Sequence, residues 1–121
     1  MYAHPGKKLL FMGGEFGQFI EWREYEGLDW HLLDYDMHQK LHKYVKDLNK
    51  LYMEEKCLFE VDTSYDGFQW IEHQNWQESI ISFERIDKDG NRLVCIFNFT
   101  PVPRPDYPIG VLDKGTYRTV F

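Results

Sequence analysis

The sequence of 121 residues contains only two cysteines and has no run of basic residues. Two cysteines, Cys57 and Cys95, are too few for a disulfide scaffold, and the pattern fits two reduced thiols or a single bridge. Lys and Arg number 14 against 20 Asp and Glu, so the formal net charge is −6. Because phosphate backbones attract clustered positive charge, we expect no nucleic-acid partner.

Long apolar segments are also absent. Runs such as Leu9–Met12 fall far short of the ~20 residues that span a bilayer, so we expect no membrane partner. Residues Met1 to Gly6 lack the charged and apolar regions of a secretory signal, which predicts a cytoplasmic location. The length itself is typical of one domain.

Aromatic residues, in contrast, are abundant: 4 Trp, 8 Tyr and 9 Phe make up 17% of the chain. This content argues against disorder, because aromatic burial offsets the entropy lost on folding.

The first part of the chain predicts a strand, a loop and a helix. Lys7–Met12 is apolar on both faces, which is typical of a buried strand. The loop Gly13–Tyr35 is rich in aromatic and acidic residues. Met37–Lys56 predicts an amphipathic helix, with Asp36 and Gln39 as a capping box. The residues that form its apolar stripe are Leu41, Tyr44, Val45, Leu48, Leu51 and Tyr52.

The second part predicts β-structure, with a boundary near Lys56 and Cys57. Phe68–Glu72 is a short strand, and Glu78–Ile86 with Arg92–Thr100 forms a hairpin about a turn rich in Asp, Gly and Asn. Four prolines then interrupt the ladder before a last predicted strand at Tyr117–Phe121.

Acidic side chains in the aromatic loop are the first candidates for chemistry. Paired carboxylates suit glycoside chemistry, in which one donates a proton and the other attacks or stabilises positive charge. The alternative is an acidic, solvated loop with a few core aromatics, which is what charge runs usually are. The carboxylates in question are Glu15, Glu21, Glu24, Glu26 and Asp29.

Other catalytic motifs have little support, and we expect no metal and no cofactor. His38 and His42 lie four residues apart, but the segment between them lacks the Glu of a zinc HExxH motif. Neither cysteine has a CxxC mate, and neither a phosphate-binding GxxxxGK[ST] loop nor a GxSxG motif is present.

Several strings in the chain resemble the bacterial glycogen (1,4-α-glucan) branching enzymes of the α-amylase superfamily. The longest is His4–Gln18, with the sequence HPGKKLLFMGGEFGQ. The resemblance extends in order over nearly the whole chain. The further strings are Glu21–Trp22, Leu28–Leu33, Asp47–Asn49, Leu51–Tyr52, Gly67–Phe68, Trp70–Ile71 and Asn98–Pro103.

The resemblance implies an α+β fragment of a larger enzyme. Residues 1–56 would be the last strand, loop and helix of a (β/α)8 catalytic barrel, and residues 57–121 the start of an antiparallel β-sandwich domain, cut short. Branching enzymes cleave an α-1,4 bond and transfer the chain to a 6-hydroxyl, with retention through a glycosyl ester. The implied partners are an α-glucan and the rest of the barrel.

The resemblance also implies which residues act. The three catalytic carboxylates of the family lie on earlier barrel strands, so no catalytic residue is expected here and the chain alone should be inactive. For Glu15 the alternatives are sugar contact and support of the barrel mouth; for Trp22 they are stacking on glucan and bracing of the loop. For Trp70, Trp76 and Tyr107 we favour packing in the core or at an interface over a surface sugar site. The residues expected to line or support the donor site are Glu15, Phe16, Gln18, Glu21 and Trp22.

Two other functions remain open, namely a stand-alone glycan-binding or interaction module and an amylase-type hydrolase. The apolar strand Lys8–Met12 has no barrel partners in this chain. We therefore expect self-association, or a disordered region before about Gly27.

Overall fold

The computed structural model describes residues 1–121, which form two compact units. The first comprises residues 1–2 and 7–55, and the second comprises residues 3–6 and 56–121. No helix is long and apolar enough to cross a membrane.

The first unit is built on one helix, α1 (Asp36–Glu54), which follows a short 3-10 helix at Trp30–Asp34. This confirms the helix expected at Met37–Lys56, with small shifts at both ends. The apolar stripe of α1 is mostly uncovered, because Val45 is its only buried residue and Tyr44 is 52% exposed.

The capping box predicted for α1 is wrong. Tyr35 occupies the N-cap position, and no side chain caps the helix. Asp36 is already helical and accepts a hydrogen bond from Lys40 Nζ at 2.6 Å, while Gln39 Nε2 donates to the Leu33 carbonyl. The Asp36 carboxylate still lies at the helix N-terminus, where the helix dipole favours negative charge.

The strand predicted at Lys7–Met12 is also wrong for this chain. Residues 7–11 have no regular structure, and Leu9 is 78% exposed. A strand needs a neighbouring backbone to satisfy its N–H and C=O groups, and the strands of this chain pair only with one another. At Met12 and Gly13 the backbone turns, with φ of 21° and 78°.

The second unit contains a three-stranded antiparallel sheet in the order β1-β2-β3. The strands are β1 (Phe68–Glu72), β2 (Ile80–Ile86) and β3 (Arg92–Asn98). This confirms the predicted strand and hairpin, with both hairpin strands two residues shorter at their outer ends. The strand expected at Tyr117–Phe121 is absent, because these exposed residues pair with no backbone ladder.

Aromatic rings pack across one face of the sheet, with Phe83 of the central strand at their centre. Its ring centroid lies 4.9 Å from Phe68, 5.6 Å from Trp70 and 5.7 Å from Phe97. Phe83 is 3% exposed, so these contacts form the core of the unit. The packing expected for Trp70 is therefore observed.

The other two β-unit candidates differ from Trp70. Tyr107 is half-buried, and its hydroxyl accepts a hydrogen bond from Asn75 Nδ2 at 2.9 Å. Trp76 takes no part in the core, since its side chain is 80% exposed on a turn, and its packing at an interface stays a prediction.

A buried arginine joins three separate segments of the second unit. Arg85 is 0% exposed, and its guanidinium donates to the carbonyl oxygens of Gly67 (3.2 Å) and Ala3 (2.8 Å). Its Nη2 also forms an ion pair with Asp62. The approach at Gly67 requires glycine, because a Cβ there would overlap the Val61 carbonyl.

Cys57 and Cys95 are buried in this unit, and no disulfide joins them. Burial raises the pKa of the Cys95 thiol to about 11, so it remains protonated at neutral pH. Cys95 is therefore a structural thiol of low reactivity.

The hairpin turn is organised by Asp87. Its Oδ1 accepts hydrogen bonds from the Asp89 and Asn91 amides at 3.0 and 2.8 Å, and its Oδ2 accepts from Asn91 Nδ2 at 2.8 Å. The bond from the Asn91 side chain is the main cause that lowers the pKa of Asp87 below its usual value of 3.8. Gly90 supplies the positive φ of 82° that the turn requires.

Arg85→Ala is expected to lower the free energy of unfolding by about 3–5 kcal/mol, because it leaves the Asp62 carboxylate and two carbonyls without their donor. Urea unfolding followed by circular dichroism measures this. The control is Lys43→Ala, which removes an exposed ion pair with Asp47 and should cost less than about 1 kcal/mol. Equal losses for the two variants would contradict the role assigned to Arg85.

The turn should show a pH dependence with a definite sign. Because the folded-state pKa of Asp87 is lowered, its ionised form stabilises the chain above the unfolded pKa of about 3.9. This contribution should be lost as the pH falls through the lower folded pKa. The stability advantage of the wild type over Asp87→Asn should therefore shrink between pH 6 and pH 2.5 in thermal unfolding.

The matched control for this measurement is Asp89→Asn, in the same turn, whose side chain is 71% exposed. A wild-type advantage over Asp87→Asn that stays constant across the pH range would refute the assignment.

Candidate functional site

The candidate site is the aromatic loop of the first unit, and it begins with a tight turn at Gly13. The Gly13 carbonyl accepts hydrogen bonds from the amides of Phe16 (3.2 Å) and Gln18 (3.0 Å). Gly13 has a φ of 78°, and a Cβ there would lie 2.8 Å from the Cβ of Gln18. The Gly13-Gly14 pair therefore lets the chain reverse direction and brings Gln18 against the turn.

Gln18 holds the loop together through both ends of its amide. Its Oε1 accepts a hydrogen bond from the Asp29 amide at 2.9 Å, and its Nε2 donates to the Ile20 carbonyl at 2.6 Å. The first bond joins residues 11 positions apart, so it closes the segment that contains Glu21 and Trp22. The side chain is half-buried, which places Gln18 among the residues that support the loop.

Phe16 is the buried centre of the loop. Its side chain is 0% exposed, and its ring lies 5.1 Å from that of Trp30. Its carbonyl accepts a hydrogen bond from Nδ1 of His38, on the first turn of α1, at 2.7 Å. At Gly17, with φ of 73°, a Cβ would lie 2.9 Å from Leu41 of the same helix. The loop is thus packed directly on α1.

Trp22 is presented to solvent at the far side of the loop. Its side chain is 71% exposed, and its ring lies 4.6 Å from that of Phe11. The backbone φ of 64° is a left-handed conformation that costs a residue other than glycine about 1–3 kcal/mol. Residues held in such conformations cluster at active sites, ligand clamps and switch regions.

The remaining acidic residues of the loop are not alike. Glu15 is half-buried and Glu21 is exposed. Glu26 forms an ion pair with Arg23 at 3.3 Å. A hydrogen bond with Tyr25, together with the charge of Glu26, raises the pKa of Arg23. Part of the acidic cluster is therefore balanced within the loop.

His38 has a supporting role that the sequence does not reveal. Besides its bond to Phe16, its ring lies 5.4 Å from Phe19 and 6.4 Å from Tyr35, edge-on to both. Because a carbonyl can only accept, Nδ1 must carry a proton. Spacing indicated only a possible partnership with His42, since nothing in the sequence places a histidine against a carbonyl 22 residues away. No group of three or more His, Cys, Asp or Glu residues is arranged to hold a metal ion.

The arrangement can support a ligand but does not contain a reaction centre. Phe16 and Gln18 are internal to the loop, whereas Glu21 and Trp22 are exposed and available for contact. Glu15 is half-buried, as Gln18 is. The expected sugar contacts of all five residues remain predictions.

The β-structure of the second unit is similar to that of a known protein family. Residues 70–121 match the model of the family described as "Alpha amylase, C-terminal all-beta domain". This segment is therefore similar to the all-β domains found at the C-terminus of α-amylases.

Whole-chain comparisons are more specific. The chain is 54% identical to the 1,4-alpha-glucan branching enzyme GlgB of Aquifex aeolicus, 55% identical to that of Halothermothrix orenii and 53% identical to GlgB 1 of Clostridium perfringens. Each match covers 100% of this chain. The chain is thus homologous to part of the branching enzymes, which confirms the resemblance found in the sequence. It spans about a fifth of the length of these relatives, 18–19%.

Gln18→Ala should loosen the loop without unfolding α1, because it removes the acceptor of the Asp29 amide. We expect the Asp29 amide hydrogen to exchange with deuterium at least tenfold faster, with little change in the amides of α1. Hydrogen exchange followed by NMR measures both. Glu21→Ala, an exposed substitution in the same loop, is the control. Unchanged Asp29 exchange in Gln18→Ala would show that the bond does not close the loop.

Proposed function

We propose that this chain forms the C-terminal part of a 1,4-α-glucan branching enzyme, which cleaves α-1,4 glucan chains and transfers them to a 6-hydroxyl to make α-1,6 branches. The observation that carries the proposal is the identity of 53–55% to branching enzymes across all of the chain. A cytoplasmic location, as expected for an enzyme of glycogen synthesis, is part of the same proposal.

Within this proposal residues 1–56 are the last strand, loop and helix of the (β/α)8 barrel, and residues 57–121 begin the C-terminal β-domain. The exposed apolar surface of the first unit supports this division. Isolated apolar residues are normal on a surface, but a large set on one small unit indicates a missing partner. The most exposed of these side chains are Leu9, Phe19, Trp22, Tyr25, Met37 and Met53.

The same surface explains why Lys7–Met12 has no regular structure here although its sequence predicts a buried strand. Barrel strands are hydrogen-bonded on both edges and covered by helices on the outside. Paired between two neighbouring strands, Leu9, Leu10 and Phe11 would lose their present exposure of 78%, 44% and 38%. The loop after this strand would then leave the C-terminal face of the barrel, where such folds place their active sites.

The reaction itself needs groups that lie outside this chain. Retaining enzymes use two carboxylates about 5–5.5 Å apart, one as nucleophile and one as acid and base. We propose that the loop of this chain contributes to the donor site instead. Trp22 would stack on a glucose ring, Glu21 and Glu15 would accept hydrogen bonds from sugar hydroxyls, and Gln18 and Phe16 would hold these residues in place.

The chain alone should form no α-1,6 linkages on amylose, whereas a chimera should. The chimera replaces the matching segment of the Aquifex aeolicus relative with this chain and restores the barrel strands that carry the carboxylates. Branching is measured as new α-1,6 anomeric protons by NMR. A folded chimera without transfer, or transfer by the chain alone, would refute the proposal.

Trp22→Ala in the chimera tests the donor-site role, and we expect at least a tenfold loss of kcat/KM. The control is Tyr65→Ala, an aromatic residue of the second unit that is 96% exposed.

The second candidate is a stand-alone glycan-binding module, which the exposure of Trp22 and Trp76 favours. It differs from the first in that the chain alone should give a saturable change in tryptophan fluorescence with maltooligosaccharides. An amylase-type hydrolase would instead make the chimera release short sugars from amylose.

We also expect the chain to self-associate through its exposed apolar surface. Sedimentation measures this self-association.

A further inference from the structure

The half-buried side chain of His38 joins the first turn of α1 to the aromatic loop. Its Nδ1 donates a hydrogen bond to the Phe16 carbonyl at 2.7 Å, across 22 positions of sequence. The next residue, Gly17, lies so close to α1 that a Cβ there would be 2.9 Å from Leu41 and 3.6 Å from the same Nδ1. One polar side chain and one close backbone approach therefore fix residues 16–17 of the loop to the helix.

This contact lies at the base of a closed segment. Gln18 accepts a hydrogen bond from the Asp29 amide, so residues 18–29 form a loop that is closed on itself. Glu21 and Trp22 lie within this segment. Gln18 and His38 thus have separate tasks, because Gln18 determines the shape of the segment and His38 determines its place on α1.

The contact requires a hydrogen-bond donor at the δ position of the side chain. A carbonyl oxygen only accepts, so the neutral ring of His38 holds its proton on Nδ1 and leaves Nε2 without one. Asparagine places an amide N–H at nearly the same position as Nδ1. Aspartate has almost the same shape, but its ionised oxygens only accept and would face the Phe16 carbonyl with lone pairs.

We propose that His38 is a positioning residue of the donor site, whose Nδ1–H holds the closed segment at the place on α1 from which Trp22 and Glu21 reach the glucan. The inference rests on the proposed function, since the sugar contacts of Trp22 and Glu21 belong to that proposal. His38 acts here through the Phe16 backbone and not by contact with the sugar. A displaced segment would weaken ground-state and transition-state binding together, so its loss should appear in KM.

The test compares His38→Asn with His38→Asp in the chimera that carries this chain. Both variants lose the edge-on ring contact with Phe19, so they differ mainly in whether the δ position donates or accepts. We expect His38→Asn to keep a KM for amylose within about threefold of the wild type, and His38→Asp to raise KM about tenfold with kcat within about twofold. The control for the added charge is His42→Asp, at an exposed position of the same helix, which should keep the wild-type KM.

NMR of this chain provides a readout that does not depend on branching. The 15N shifts of the neutral His38 ring should place the proton on Nδ1. In His38→Asp the exchange rate of the Asp29 amide hydrogen should stay unchanged, because Gln18 still closes the segment. This result separates His38→Asp from Gln18→Ala, in which the same amide is expected to exchange faster.

Equal KM values for His38→Asn and His38→Asp, or a neutral ring with its proton on Nε2, would overturn the inference. So would a KM for His42→Asp as high as that of His38→Asp. Should His38→Asp fail to fold, His38→Gln replaces it, because its amide lies one bond farther out and should also raise KM. A chimera that branches amylose equally well with His38→Asp refutes the positioning role and leaves the proposed function intact.

Discussion

The guanidinium of Arg85 is the interaction on which the second unit depends. A charged side chain without solvent exposure is tolerated only when its donors are satisfied, and here Asp62, Gly67 and Ala3 satisfy them. These three partners lie far apart in the sequence. One side chain of the central strand therefore fixes the chain before β1 and a segment near residue 3 against the sheet. The aromatic packing around Phe83 depends on the position of the same strand.

The first unit depends on a different kind of contact, since its loop has no sheet to lie on. Its order comes from one buried ring, Phe16, and from polar groups that reach across the loop. Gln18 closes the loop onto the Asp29 amide, and His38 holds the Phe16 carbonyl to α1. These supports leave Trp22 outside in a strained backbone conformation. The proposed contact with a sugar chain rests on this exposed ring above a packed interior.

Local patterns made some of these elements predictable. The period of α1, the alternation of the strands and the Asp-Gly-Asn turn each depend on neighbours in sequence, and the structure has them nearly where they were expected. The capping box failed because Asp36 lies one position inside the helix, a difference that composition does not encode. The strands predicted at Lys7–Met12 and Tyr117–Phe121 failed because a strand needs a second backbone to pair with, and neither segment forms a backbone ladder in this chain.

The site was predictable only in part. The resemblance pointed to Phe16 and Gln18, but their support of the loop depends on the buried ring and on hydrogen bonds closed over long sequence distances. His38 and Arg85 show the same limit, because their roles depend on backbone carbonyls that no spacing rule places near them.

The close approach at Gly67 has a consequence for how this sequence can vary. Any side chain at that position would collide with the Val61 carbonyl, and relief would move the very backbone whose oxygen Arg85 holds. Position 67 is therefore constrained twice, by the close approach of the Val61 carbonyl and by the hydrogen bond from Arg85 to its own carbonyl. During evolutionary drift position 67 should stay glycine even where the surrounding exposed residues, such as Tyr65, change freely.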